Sequence, residues 1–188
     1  NDQEVFRDNL KILNNQIKQI ENLVNEFSDF ARMPKPLLKK NNIVEIIENN
    51  IKLISKMNLS IDIIFPEKHK SPIVFNCDEE QINRVIFNLL KNSMESIKDK
   101  TVKSLDFKGI INVEIIKTRD YIIIIINDNG IGFTNNNKKD LIKPYFTTKK
   151  NGSGLGLSIV NKIITDHNGT INLSNTKNGA KVEINFVI

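Results

Sequence analysis

Residues 128–156 read DNGIGFTNNNKKDLIKPYFTTKKNGSGLG, and these 29 of the chain's 188 residues hold five of its eight glycines. The glycines form two clusters, Asp128-Asn129-Gly130-Ile131-Gly132 and Gly152-Ser153-Gly154-Leu155-Gly156. The second runs straight into Ser158 to Asp166, whose apolar spacing predicts a helix. Glycine turns ahead of a helix N-terminus let backbone amides approach a phosphate that the helix dipole also favours. Neither the Walker pattern nor the dinucleotide fingerprint applies: no Gly-Lys-Ser/Thr follows, and the chain before Gly152 reads as loop rather than strand. By itself the pattern equally describes a flexible loop.

Upstream, Ile110 to Lys117 and Tyr121 to Asn127 read as two strands joined by a short turn, and Asp78 to about Lys100 as a long amphipathic helix capped by Asp78. On that helix, counting about 100° per residue from Asn88, Asn92 falls at about 40° and Glu95 at about −20°. Val85, Ile86, Leu89 and Leu90 fall between about 60° and 200°, so the two amides and the carboxylate share one edge beside the apolar face. Asparagine is a poor helix former, so two on one edge of a helix interior suggest a job, such as oxygen ligation of Mg²⁺. The chain is also Asn-rich throughout, with 28 in all. Drift on a solvated face explains that edge as well.

Further out, Ile43 to Met57 reads as a helix, and Leu59 to Phe65 and Ile73 to Phe75 as strands. Thr170 to Ser174 with Ala180 to Val187 reads as a closing hairpin. Helices and antiparallel hairpins in this order predict an α+β fold, a two-layer α/β sandwich, rather than a parallel βαβ sheet. Residues 1–31 lack Gly and Pro and place Phe6, Leu10, Leu13, Ile17, Ile20, Val24, Phe27 and Ala31 at alternating spacings of four and three. That heptad seam predicts one long coiled-coil-like helix that needs a partner to cover it. Pro34 and Pro36 end it. The expected divisions are therefore the helix at 1–33, a linker at 34–42 and a domain at 43–188.

Composition narrows the classes. No apolar run approaches bilayer length, and a lone Cys77 excludes an internal disulfide or a cysteine zinc site. The net charge of +5 comes mainly from 23 scattered Lys, with only four Arg to read bases. No nucleic-acid partner is expected.

Taken in order, Asn88-Leu-Leu-Lys-Asn92, Asp128-Asn-Gly-Ile-Gly132, Pro144-Tyr-Phe-Thr-Thr-Lys149 and Gly152-Ser-Gly-Leu-Gly156 resemble the N, G1, F and G2 boxes of the histidine-kinase catalytic domain. That domain belongs to an ATPase superfamily shared with gyrase, Hsp90 and MutL. The resemblance covers about residues 37–188. The segment Phe27-Ser-Asp-Phe-Ala-Arg-Met-Pro-Lys-Pro36 resembles the end of the dimerisation and phosphotransfer hairpin of membrane-anchored nitrogen-regulation sensor kinases.

The resemblance implies the Bergerat-type fold, with ATP and Mg²⁺ as ligands. It implies that Asp128 accepts from the adenine amino group, with Gly130 and Gly132 shaping that turn. Asn92, assisted by Asn88, would bind the metal. Thr148 and Lys149, with the loop and helix start at Gly152, Gly154, Leu155, Gly156 and Leu157, would hold the phosphates. Phe133 to Asn151 would be the lid, with Phe146 as its anchor. The γ-phosphoryl group would pass to a histidine upstream of residue 1 and on to a response regulator. The protein would be a homodimer through the first helix, the cytoplasmic portion of a membrane-anchored sensor.

Three departures stand out. Ser93 and Ser153 replace the more usual Ala and Thr, and Lys143 stands where an acidic residue commonly precedes the F box, which bears on lid docking. His69 and His167 sit in turn contexts unsuited to a phosphoacceptor. Competing readings are a nucleotide-gated interaction module, a gyrase- or MutL-like clamp, and a coiled-coil scaffold.

Overall fold

A computed structural model describes residues 2–58, 60–66, 71–101, 107–134, 138–149 and 152–188. The first helix, α1 (Asp2–Ala31), carries the heptad seam, and Phe6, Leu10, Leu13, Ile17, Ile20, Val24 and Phe27 are 43–64% exposed along it. Toward its C-terminal end Phe30 packs against the core, as does Met33 just beyond it, and Phe27 lies 6.4 Å, ring to ring, from Tyr145.

The expected linker is partly strand. β1 (Lys39–Asn42) pairs antiparallel with β3 (Val74–Cys77), and Asn42 ends it by capping α2 (Ile43–Met57), its Oδ1 accepting from Val44 N and Ile73 N. Asp78 caps α3 (Glu79–Thr101) through Gln81 N at 3.0 Å, and its second carboxylate oxygen accepts from Leu37 N at 2.8 Å. Burial alone would raise this carboxyl's pKa, but these amides hold it below its ordinary value. Gln81 Nε2 donates to Pro34 O at 3.0 Å, so the chain between α1 and α2 is tied to the start of α3.

Five strands form the main sheet in the order β2 (Ile61–Ile64), β4 (Gly109–Lys117), β5 (Tyr121–Asp128), β7 (Ala180–Val187), β6 (Gly169–Asn175). The expected two-layer sandwich is present, with α2, α3 and α4 (Gly156–Asp166) covering one face. Its sheet is mixed rather than wholly antiparallel, because β2 and β4 run parallel. The chain between them crosses over through β3 and α3, the kind of long connection a parallel pair requires. Between the layers Ile82, Ile86, Leu90 and Ile97 of α3 meet Ile111, Val113, Ile122, Ile124, Ile126, Ile184 and Phe186. The five consecutive isoleucines of β5 conceal an alternation: 122, 124 and 126 point inward, while 123 and 125 stay half-buried on the open face.

His167 closes α4 and is itself buried. Its Nε2 accepts from Asp78 N at 3.0 Å and its Nδ1 donates to Ile163 O at 2.8 Å, which fixes the neutral Nδ1–H tautomer. Both ring nitrogens are committed to backbone, in keeping with the expectation that His167 is no phosphoacceptor; His69 lies outside the described residues. His167→Ala should strand the Asp78 amide and destabilise the fold by about 1–3 kcal/mol, read as a lower urea midpoint with an unchanged m-value.

Candidate nucleotide-binding site

The long helix α3 presents two rows of side chains to different partners. One row, Ser93 and Ser96, backs the turn after β5. Asp128, at the end of that strand, is 8% exposed, and its Oδ1 accepts from Gly130 N at 2.9 Å and Ala180 N at 3.4 Å. Burial raises the Asp128 pKa above its ordinary value, opposed by hydrogen bonds from Gly130, Ser93 and Ala180 and by the charge of Lys100. Ile131 N donates to Ser96 Oγ at 3.1 Å, and a Cβ on Gly130 would lie 2.6 Å from the Ser96 backbone. Gly132 takes φ +72°, the left-handed region, against Asn175 and Gly179.

Four further residues hold this turn and were not singled out for it in the sequence. Lys100 Nζ donates to Asn129 O at 2.6 Å, Gly130 O at 3.1 Å and Asn178 O at 2.8 Å, with its ammonium 4.8 Å over the Phe107 ring. Asn175 clasps Phe133 by a pair of 2.8 Å bonds to its N and O. Gly179 lies where a Cβ would come within 2.2 Å of Asp128 O. Ser93, noted only as a departure, hydrogen-bonds the Asp128 carboxylate. The signals for these residues are partners 29 to 78 positions away, beyond any local period.

The other row of α3 faces the lid and the second glycine cluster. Asn88 Nδ2 donates to Arg84 O at 2.9 Å, leaving its Oδ1 turned toward Gly156 at the start of α4, 3.9 Å from where a Cβ would stand. Asn92 Oδ1 accepts from Lys149 Nζ at 3.0 Å, and the same ammonium pairs with Glu95 Oε2 at 2.5 Å. Lys149 thus sits on the edge expected to bind metal, and Glu95, left out of the expected ligand set, joins it. Two amide oxygens and a carboxylate are hard donors suited to Mg²⁺, and a cation already rests on two of them.

In the lid, Leu141 is buried in a single 3-10 turn at Asp140–Ile142, Phe146 packs against the core, and Thr148 is exposed. Lys143 pairs with Asp140 at 2.6 Å, so the lysine in place of the common acidic residue is accommodated within the lid itself. Residues 135–137, Lys150 and Asn151 lie outside the described part of this segment. Gly154 at φ +71° lies against the Tyr145 backbone, where a Cβ would meet the Tyr145 carbonyl carbon at 2.5 Å; Tyr145 is itself left-handed at φ +65°. Leu155 is buried with its amide donating to Ser153 Oγ at 3.2 Å, Leu157 packs on the core, and α4 begins at Gly156 without a side-chain cap from Leu155. Its first-turn amides are therefore available to an anion. α3 thus touches the Asp128 turn through Ser93 and Ser96, the start of α4 through Asn88, and Lys149 through Asn92 and Glu95.

Comparison with known proteins places the chain in a family. The family described as histidine kinase-, DNA gyrase B- and HSP90-like ATPase matches residues 77–187. A protein named as an NtrY-like sensor histidine kinase of Rickettsia conorii is 35% identical over 96% of this chain and 29% of its own length. The nitrogen regulation protein NtrY of Azorhizobium caulinodans is 32% identical over 95% of this chain and 23% of its own. The chain therefore spans under a third of the length of these two relatives. The catalytic domain of the histidine kinase ThkA, nucleotide-free, superposes with a TM-score of 0.68 at 25% identity, covering 80% of this chain and 95% of that one. The ThkA complex with the response regulator TrrA superposes at 0.74 and 23% identity, over 94% of this chain and 49% of that one. With more than half of its residues matched by one family, the chain belongs to the histidine kinase-, DNA gyrase B- and HSP90-like ATPases.

Proposed function

We propose that this chain is the ATP-binding portion of a two-component sensor histidine kinase, which passes the γ-phosphoryl group of ATP to a histidine upstream of residue 1 for relay to a response regulator. The observation that carries the reading is that one helix, α3, meets each of the other three boxes: Ser93 and Ser96 at the Asp128 turn, Asn92 and Glu95 at Lys149, and Asn88 beside Gly156 at the uncapped start of α4. The Asp128 carboxylate accepts from the adenine amino group. Its orientation is preset because Oδ1 is already taken by two backbone amides. The first-turn amides of α4 bind phosphate oxygens, and Lys149 adds a positive charge from the lid. Asn92 with Asn88 would hold Mg²⁺, which would supply neutralisation of the phosphate charge. Nothing in the cleft needs to act as nucleophile or base, because phosphoryl transfer of this kind rests on positioning and electrostatics.

The exposed seam of α1 supports pairing with a second copy in a homodimer, where helix–helix burial covers the apolar face. The whole protein is then a membrane-anchored sensor with this part in the cytoplasm. No helix among the described residues is itself long and apolar enough to cross a membrane.

Mg-ATP should raise the melting temperature of the chain: at about 100 Kd the linkage is worth about 2.7 kcal/mol, or about 5–10 °C for a protein of this size. The chain alone with labelled ATP should form no acid-labile phosphohistidine, and adding the histidine-bearing hairpin of the parent should produce it. A folded protein that shows no shift at millimolar Mg-ATP defeats the proposal. Binding without transfer to the hairpin would instead favour the nucleotide-gated module.

A further inference from the structure

The meeting of Lys149, Asn92 and Glu95 joins the lid to α3 across more than fifty residues of sequence, and it places a cation where the proposed function needs a different one. Nζ touches both Asn92 Oδ1, at 3.0 Å, and Glu95 Oε2, at 2.5 Å, and both charged side chains are only 35% exposed. The lysine is also directed from its backbone: Lys149 N donates to Thr147 Oγ1 at 3.1 Å, and Lys149 O accepts from Gly152 N at 3.3 Å. A Cβ on Gly152 would come within 2.5 Å of that Thr147 hydroxyl, so the bend that aims the lysine is closely packed.

We propose that Lys149 is the resident counter-cation of the Asn92–Glu95 edge in the nucleotide-free protein, retained there by Glu95, and that nucleotide binding exchanges this ammonium for the divalent ion. The inference rests on the nucleotide-binding reading above. An amide oxygen has lone pairs enough for two partners, but an ammonium and a divalent ion on Asn92 Oδ1 would stand within about 5 Å of each other, where their repulsion outweighs either contact. One must leave. Lys149 needs only to pivot off Asn92 to meet the incoming phosphates, and Glu95, still within its reach, limits how far it swings. Glu95 is thus a positioning residue. It keeps the edge neutral while Lys149 rests there, holds the lid lysine beside the phosphate site, and repels a nucleotide that arrives without its metal.

The exchange predicts metal binding that a purely structural ion pair would not. Titrated with Mn²⁺ alone and followed by electron paramagnetic resonance, nucleotide-free Lys149→Met should bind the ion about tenfold more tightly than the wild type, because the competing cation is gone. Lys149→Arg, which keeps the charge, should match the wild type, and Glu95→Gln combined with Lys149→Met should lose the gain. In EDTA, Glu95→Gln alone should bind metal-free ATP several-fold more tightly than the wild type by removing a carboxylate beside the phosphates. Equal Mn²⁺ affinity in wild type and Lys149→Met, with matching melting temperatures showing both folded, overturns the exchange. So does a gain that survives Glu95→Gln. Because the Mn²⁺ measurement needs no nucleotide, it is distinct from failure of the wild type to bind Mg-ATP, which would fall on the proposed function instead.

Discussion

Asp128→Asn should weaken ATP binding by about 1–3 kcal/mol, roughly fivefold to 150-fold, while leaving the melting temperature of the free protein nearly unchanged. The fold needs only the acceptor oxygen that takes the Gly130 and Ala180 amides, and an asparagine carbonyl can supply it. With that oxygen so placed, the side-chain NH₂ replaces the second carboxylate oxygen and sets a donor against the adenine amino group. Acid should reproduce the substitution in the wild type, since a proton on the outer oxygen also creates a donor. Burial raises the Asp128 pKa, so affinity should begin to fall at a higher pH than for an exposed aspartate. The sign for stability runs the other way: a carboxyl whose folded pKa is raised costs stability when ionised, and that cost is removed as pH falls through the folded pKa. Loss of affinity in acid is therefore not unfolding driven by this residue. Calorimetric titration of wild type and Asp128→Asn across mildly acidic pH tests both points. A pH slope that persists in Asp128→Asn refutes the assignment.

Gly179→Val should damage both stability and binding. The first carbon added at position 179 falls 2.2 Å from Asp128 O, 2.8 Å from Gly130 N and 2.9 Å from Asn129 C, all backbone atoms that no rotamer change can clear. The turn carrying Asp128 must open. Lys100, which bonds carbonyls on both sides of that contact at Asn129 and Asn178, loses its geometry as well. Overpacking of this severity costs about 3 kcal/mol or more, which in a chain of this size lowers the melting temperature by about 6–12 °C. ATP binding should fall below detection even where the protein remains folded. Lys177→Ala, two residues earlier on the exposed tip, is the control and should change neither. Thermal melting by circular dichroism, followed by nucleotide titration below the transition, reads both effects.

The elements that were legible from the sequence are those whose information is local. The spacing of Phe6 through Phe27 specifies α1, the apolar positions of Ile43 to Met57 specify α2 to the residue, and Asp78 marks the start of α3. The order of the four boxes located Asn88, Asn92, Asp128 and the second glycine cluster. By contrast, β1 is Lys-Lys-Asn-Asn, with no apolar alternation, and it becomes a strand because β3 offers it a hydrogen-bonding edge. The parallel pairing of β2 with β4 is equally invisible, since a short strand carries no mark of which way its neighbour will run.

What the sequence by itself determined is periodicity, capping and the chemical types in the boxes, because each depends on residues within about one or two helical turns of one another. Tertiary structure alone decided that Lys100 buttresses the Asp128 turn, that Gly179 must lack a side chain, that Asn175 clasps the lid's first residue, and that Lys149 rests on Asn92 and Glu95. Each of these follows from two segments far apart in the chain being packed to within a few ångströms. Lys100, on a helix, and Lys149, in a loop, are two among 23 lysines until the fold brings three carbonyls to the one and Asn92 and Glu95 to the other.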